Sequence, residues 1–146
     1  MDRNKAGVTD SILSSVGEYF RGRRDIHTVI VYGSAAEAAG GDGIRFTAES
    51  DVDVAVAGAA ELGPEERLEI YEALTKKLRR DVDVRDLSTL HGIILSQVLL
   101  NGVILKKEDP AYFEARLREM IYFRQDMLPI ILEGMEYRLR EFADGR

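Results

Sequence analysis

Three acidic residues on two short apolar segments, together with a Gly-Ser dipeptide, are the residues of this chain best suited to do chemistry. Asp51 and Asp53 stand at spacing two in Asp-Val-Asp-Val-Ala-Val, a β-branched run that reads as a strand. Both carboxylates are therefore expected to leave one face of it. Asp83 sits in Val82-Asp83-Val84-Arg85 with the same alternation, and Asp81, on the same face, is the other candidate there. If the two strands are neighbours they lie only about 5 Å apart, and Asp83 completes a three-carboxylate cluster. Like charges that close on an apolar strand call for a cation. Three carboxylates suit two Mg²⁺ ions, hard cations that take oxygen ligands and leave room for substrate phosphates. A pair of such ions can hold the attacking and leaving oxygens of an in-line phosphoryl displacement. Gly33-Ser34 closes the run Val29-Ile-Val-Tyr32. A turn without a side chain there would offer backbone amides and a hydroxyl to a triphosphate. Each signal alone is weak; the combination is much stronger.

The elements that must position these residues follow from the pattern. Thr9 or Asp10 is expected to cap a first helix with the apolar stripe Ile12, Leu13, Val16, Tyr19, Phe20, ended by Gly22 and Arg21, Arg23 and Arg24. His27–Tyr32 reads as the first strand, and residues 35–50 as a glycine-containing loop with a helical turn at its Ala-rich start. Asp51–Ala57 is the second strand. Pro64 suits the first position of a helix whose buried face is Leu68, Tyr71, Leu74 and Leu78. Asp81–Leu87 is the third strand, with Asp86 on its opposite face, placed to help begin the next helix. Ser88 is expected to cap that helix, which runs through Leu100 to Gly102. Val103–Lys107 reads as a short edge strand. Asp109-Pro110 opens a helical tail with Phe113, Leu117, Met120 and Ile121 on one side, broken or kinked at Pro129. Beyond it Leu128, Leu132, Met135, Leu139 and Phe142 form a stripe, and Phe123, Ile130 and Tyr137 recur every seven residues on a second face that suits a partner or a second copy. The fold class expected is α/β (α+β): a small mixed sheet flanked by helices, with residues 1–108 as core and 109–146 as a helical extension packing on it.

At 146 residues the chain is long enough for one domain with a real core. A net charge of −6 argues against a broad nucleic-acid surface. The absence of cysteine removes disulfides, zinc fingers and thiol chemistry, and fits a reducing cytoplasm. The N-terminal residues lack a signal-peptide core. The longest apolar stretch, Ile93–Leu105, is interrupted by Ser96, Gln97, Asn101 and Gly102 and is too short to span a bilayer, so no membrane partner is expected. His27 and His91 are isolated and suit packing or capping roles, and the Lys76–Arg80 cluster reads as a solvated helix end.

Gly33-Ser34, Asp51-Val-Asp53 and Val82-Asp-Val-Arg85 resemble the motifs of the DNA polymerase β-type nucleotidyltransferase superfamily, and within it the minimal, single-domain members. Val98-Leu-Leu-Asn-Gly-Val-Ile-Leu105 and Phe113-Glu-Ala-Arg116, with Tyr122, Asp126 and Pro129, are similar to the MntA-type antitoxins that pair with HEPN-domain toxins of the HepT type. The resemblance spans roughly residues 10–142. It implies that Asp51, Asp53 and Asp83 bind two Mg²⁺ ions, that Asp83 also helps to deprotonate the incoming hydroxyl, and that Gly33 and Ser34 hold the triphosphate of ATP. The reaction it implies is transfer of AMP from ATP to a tyrosine of a cognate toxin.

One departure from the family pattern concerns the loop after Ser34. Its sixteen residues exceed the family's usual about ten, which costs only roughly 0.4 kcal/mol by logarithmic scaling. The chemistry is more exposed, because Ala36-Glu37-Ala38 stands where the family often has an Arg. Arg45 or Arg85 is the available substitute, Arg85 being equally suited to a structural ion pair. Two further readings fit the same residues: an antitoxin that neutralises its partner by binding alone, and a stand-alone transferase acting on a small hydroxyl compound.

Overall fold

The computed structural model describes residues 3–41 and 46–145. Arg45, one substitute cation named above, lies outside them. Four strands form one sheet in the order β3-β2-β1-β4: β1 (Ile26–Tyr32), β2 (Val52–Gly58), β3 (Val82–Asp86) and β4 (Val103–Lys107). β1 runs antiparallel to both β2 and β4, whereas β2 and β3 are parallel. The sheet is thus mixed and small, and helices cover both faces, as the alternation of strand and helix patterns implied.

Strict side-chain alternation divides β2 between two cores. Val52, Val54 and Val56 enter one, built with Phe20 of α1 (Arg3–Arg21) and Ile70 and Leu74 of α3 (Pro64–Leu78). Ala55 and Ala57 enter the other, with Ile30, Tyr32, Leu95 and Val98 of α4 (Gly92–Asn101), and Phe113 and Met120 of α5 (Pro110–Tyr122). Small alanines let α4 and α5 approach this face closely. Gly102, between α4 and β4, is needed for the same reason, since a Cβ there would collide with Ile30 and the Val98 carbonyl.

Several local expectations are corrected. α1 starts at Arg3, so Thr9 and Asp10 lie within it rather than capping it, and Thr9 is fully buried. The Ala-rich start of the long loop is a six-residue helix, α2 (Ser34–Ala39). In α3 the buried residues are Ile70 and Leu74; Leu68 is 54% and Tyr71 37% exposed, and the Tyr71 hydroxyl instead donates to Asp81 at 3.4 Å. Ser88 caps no helix. Asp86 caps a short 3₁₀ turn (Leu87–Thr89), and α4 begins only at Gly92 with His91 before it. Asp86 accepts from the amides of Ser88 at 2.9 Å and Leu62 at 2.8 Å, which makes it a buried tie between two connections. Arg80 is not merely solvated: its guanidinium donates to the carbonyls of Thr47 and Ser50 and lies over the Phe46 ring, anchoring the end of the long loop.

Asp109 caps α5 as expected, accepting from the Tyr112 amide. Pro129 does not break the tail. A π-helical turn (Phe123–Met127) precedes α6 (Leu128–Ala143), and Pro129 stands in the first turn of α6, where its missing amide hydrogen is tolerated. The stripe beyond Pro129 is not core: α6 has no buried residue, and Leu132, Met135, Leu139 and Phe142 are all exposed. No helix of the described residues is long and apolar enough to cross a membrane.

Candidate active site

The parallel pairing of β2 with β3 sets Asp53 directly opposite Asp83, and Tyr32 of β1 opposite Asp53. Three neighbouring strands thus present Tyr32, Asp53 and Asp83 in one row. Asp53 continues the row of Ala55 and Ala57, at the end of the sheet where the apolar cover gives way to a cavity of about 270 Å³. Tyr32, Gly33, Asp53, Asp83 and Arg85 line it, with Glu37 from α2 and Ile94, Gln97 and Asn101 from α4. The condition placed on the third strand, that it neighbour the second, is met.

Gly33 is required by two features. Its φ is 74°, which L side chains rarely adopt, and a Cβ there would run into the Asp53 carboxylate. The turn from β1 into α2 therefore brings bare backbone against that carboxylate. Ser34 follows as the first residue of α2, although it does not line the cavity. Asp51 lies one residue before β2, exposed and outside the cavity lining. Asp81 is exposed and turned toward Tyr71.

The electrostatics are those of crowded anions, with Arg85 as the nearby cation. Burial, and then the charges of Asp83 and Asp51, push the Asp53 carboxyl up from an ordinary 3.8 to about 6, against the pull of Arg85. Burial likewise raises the Tyr32 phenol to about 12. Its hydroxyl is buried and has no hydrogen-bond partner among the described residues. Arg85 donates to Asp83 at 3.1 Å, but both side chains are nearly half exposed, so the pair is worth at most about 1 kcal/mol and separates readily. Among the described residues no three acidic or histidine side chains form a ready ligand cluster. The donors nevertheless fit a hard cation: two carboxylates in register, one of them raised by burial and by its anionic neighbours, with space for phosphate oxygens to complete the shell.

A family model described as "Polymerase beta, Nucleotidyltransferase" matches residues 15–111. The chain belongs to the polymerase β nucleotidyltransferase family. No curated protein sequence matches it. Among solved structures, this nucleotidyltransferase is similar to a chain from a toxin-antitoxin complex with AMP-PNP, with TM-score 0.68 and 20% identity over 87% of this chain and 98% of that one. It is also similar to a chain of the MntA-HepT toxin-antitoxin complex, with TM-score 0.64 and 19% identity over 89% and 98%. A third is from the complex of tri-AMPylated Shewanella oneidensis HEPN toxin with MNT antitoxin, with TM-score 0.65 and 19% identity over 90% and 98%. At such identities the likeness establishes the fold.

Sequence reasoning missed Tyr32, Glu37, Ile94, Gln97 and Asn101 as lining residues. For Gln97 and Asn101 a signal existed. Two amides four residues apart in a largely apolar helix stand on one face, and such a helix has little reason to carry them unless that face meets something polar. His27 and His91 stay outside the site: His27 bonds Thr28 and the Gly58 carbonyl, and His91 meets Glu119 at 2.7 Å.

Proposed function

We propose that this nucleotidyltransferase is a Mg²⁺-dependent adenylyltransferase that moves AMP from ATP to a tyrosine hydroxyl of a cognate HEPN-type toxin and so acts as a cytoplasmic antitoxin. The observation that carries the reading is the opposed Asp53–Asp83 pair beside the Gly33 turn, at the edge of a cavity sized for part of a nucleotide. The structural likeness to antitoxin complexes, one with AMP-PNP and one with an AMPylated toxin, supports the choice of nucleotide and partner.

Asp51, Asp53 and Asp83 would hold two Mg²⁺ ions, which would supply positive charge against the triphosphate and the oxygens being exchanged. The Gly33 backbone and Ser34 cradle phosphate oxygens. Arg85 leaves its weak pair with Asp83 for the phosphates, which frees that carboxylate. Asp83 accepts the proton of the acceptor hydroxyl; the acceptor oxygen bonds to the α-phosphorus, and the bond to the β-phosphate breaks, releasing pyrophosphate. Residues 1–108 carry this chemistry, and 109–146 form the extension that meets the partner or a second copy.

A second reading has its own support. Glu37 lines the cavity where the family often has a cation, and one more anion there weakens nucleotide binding. On that reading the protein neutralises its toxin by masking alone. The test incubates purified protein with the cognate toxin, Mg²⁺ and ATP labelled at the α-phosphate. Label on a toxin tyrosine is expected, lost in Asp51→Asn/Asp53→Asn with toxin binding retained. Neutralisation without label supports masking, and label undiminished in the double variant overturns the metal-site reading.

A further inference from the structure

A second concavity, of about 170 Å³, adjoins the catalytic cavity and shares Gln97 and Asn101 with it. Its character is different. Ile93 and Leu100 of α4 form one wall, and Phe123 and Leu128 from the π-helical turn and the start of α6 form the other. Phe123, the first residue of the turn, lies against Gly92, where any added Cβ would rest on its ring. Among the described residues of this lining, Arg124 is the one formally charged side chain.

Three observations identify the occupant. The groove shares Gln97 and Asn101 with the cavity, so whatever lies in it reaches side chains that also line the carboxylate site. Ile93 and Leu100 are each 53% exposed, which makes the groove shallow and unlike a slot enclosing a flat base. Leu128 also begins the exposed stripe Leu132, Met135, Leu139 and Phe142, so the apolar surface continues along α6, ~24 Å of helix. That exceeds any nucleotide. Contiguous apolar surface of this length marks a macromolecular contact.

We infer that the α4–π-turn groove and the α6 stripe together form the docking track for the acceptor polypeptide. The acceptor lays an apolar face along α6, seats an apolar side chain between Leu100 and Phe123, and pairs an acidic residue with Arg124. Its target hydroxyl is thereby delivered past Gln97 and Asn101 to the nucleotide. This deepens the adenylyltransferase reading by assigning the acceptor side of the same site, and rests on it for the partner's identity.

The test measures binding, so that it stands apart from catalysis. Full-length protein loaded with a non-hydrolysable ATP analogue is titrated with the cognate HEPN-type toxin, and analogue affinity is measured separately. Ile93→Asp/Leu100→Asp, Leu132→Asp/Leu139→Asp and Arg124→Glu alter exposed side chains, and circular dichroism checks that each remains folded. Each double variant is expected to weaken toxin binding about tenfold or more, with analogue affinity unchanged. Arg124→Glu is expected to weaken it less and to steepen recovery at high salt. Unchanged toxin affinity in the groove variant overturns the inference, as does loss of analogue affinity, which would make the groove a base pocket. So would a wild-type dimer that dissociates in the stripe variant while toxin affinity holds. A wild type that binds toxin through these residues yet transfers no AMP sinks the catalytic reading and leaves the docking track standing.

Discussion

Replacing Asp53 by asparagine should stabilise the metal-free protein at neutral pH. In the folded state this carboxyl is raised from 3.8 to about 6, first by burial and then by Asp83 and Asp51. Between those values the native state holds a proton that the unfolded chain has released. Stability therefore falls as pH rises from about 4 to about 6 and stays reduced above it. A shift of about two units corresponds to a ceiling of roughly 3 kcal/mol. Asp53 is only partly buried, and solvent screening reduces the figure to about 1–1.5 kcal/mol. Asparagine keeps the shape without the charge. Urea denaturation in the presence of a chelator should show Asp53→Asn about 1 kcal/mol more stable than wild type near pH 7.5 and nearly equal to it near pH 4. Adding Mg²⁺ with a non-hydrolysable ATP analogue should reverse the order, because only the wild type binds them well. A variant less stable than wild type at pH 7.5, or a difference independent of pH, would refute the reasoning.

Other perturbations follow from the same geometry. Gly33→Ala places a Cβ against the Asp53 carboxylate at a φ of 74°, and should cost about 1–3 kcal/mol in thermal or urea denaturation as well as nearly all transfer activity. Asp86→Ala strands the amides of Leu62 and Ser88, one of them buried, and should destabilise by about 2–3 kcal/mol in the same measurement while leaving the cavity residues untouched. Tyr32→Phe removes a buried hydroxyl with no partner among the described residues, so the metal-free protein should lose nothing and gain up to about 1 kcal/mol. Glu37→Arg restores a cation to the cavity and should tighten binding of the ATP analogue in calorimetry by about fivefold to tenfold.

What could be read from the chain was whatever depends on a period of two. Alternation in Asp51–Ala57 and Asp81–Leu87 marked both strands and the face carrying Asp53 and Asp83; the register that sets them opposite came only with the sheet. Helical faces were less legible. α3 carries apolar residues on two adjoining flanks, and only the position of β2 and β3 decides that Ile70, not Leu68 or Tyr71, turns inward. The stripe of α6 has the spacing of a core helix, yet none of the described residues covers it. Periodicity reports that a face needs a partner, not that the partner is in the same molecule. Ser88 looked like a cap because it is a capping type before an apolar run, but the neighbouring Asp86 is buried and takes the amides first. The cavity's Tyr32 and Ile94 carry no local signal, since their place in it comes from the strand pairing and from α4 beside the strand ends.

On the proposed function, Asp53 and Asp83 share a divalent cation brought in with the nucleotide. Titrating Mn²⁺ into the protein with a non-hydrolysable ATP analogue, and following the free ion by electron paramagnetic resonance, tests it directly. Binding that depends on the analogue, and is lost in both Asp53→Asn and Asp83→Asn, is the predicted result. Mn²⁺ held equally well by either variant would contradict it.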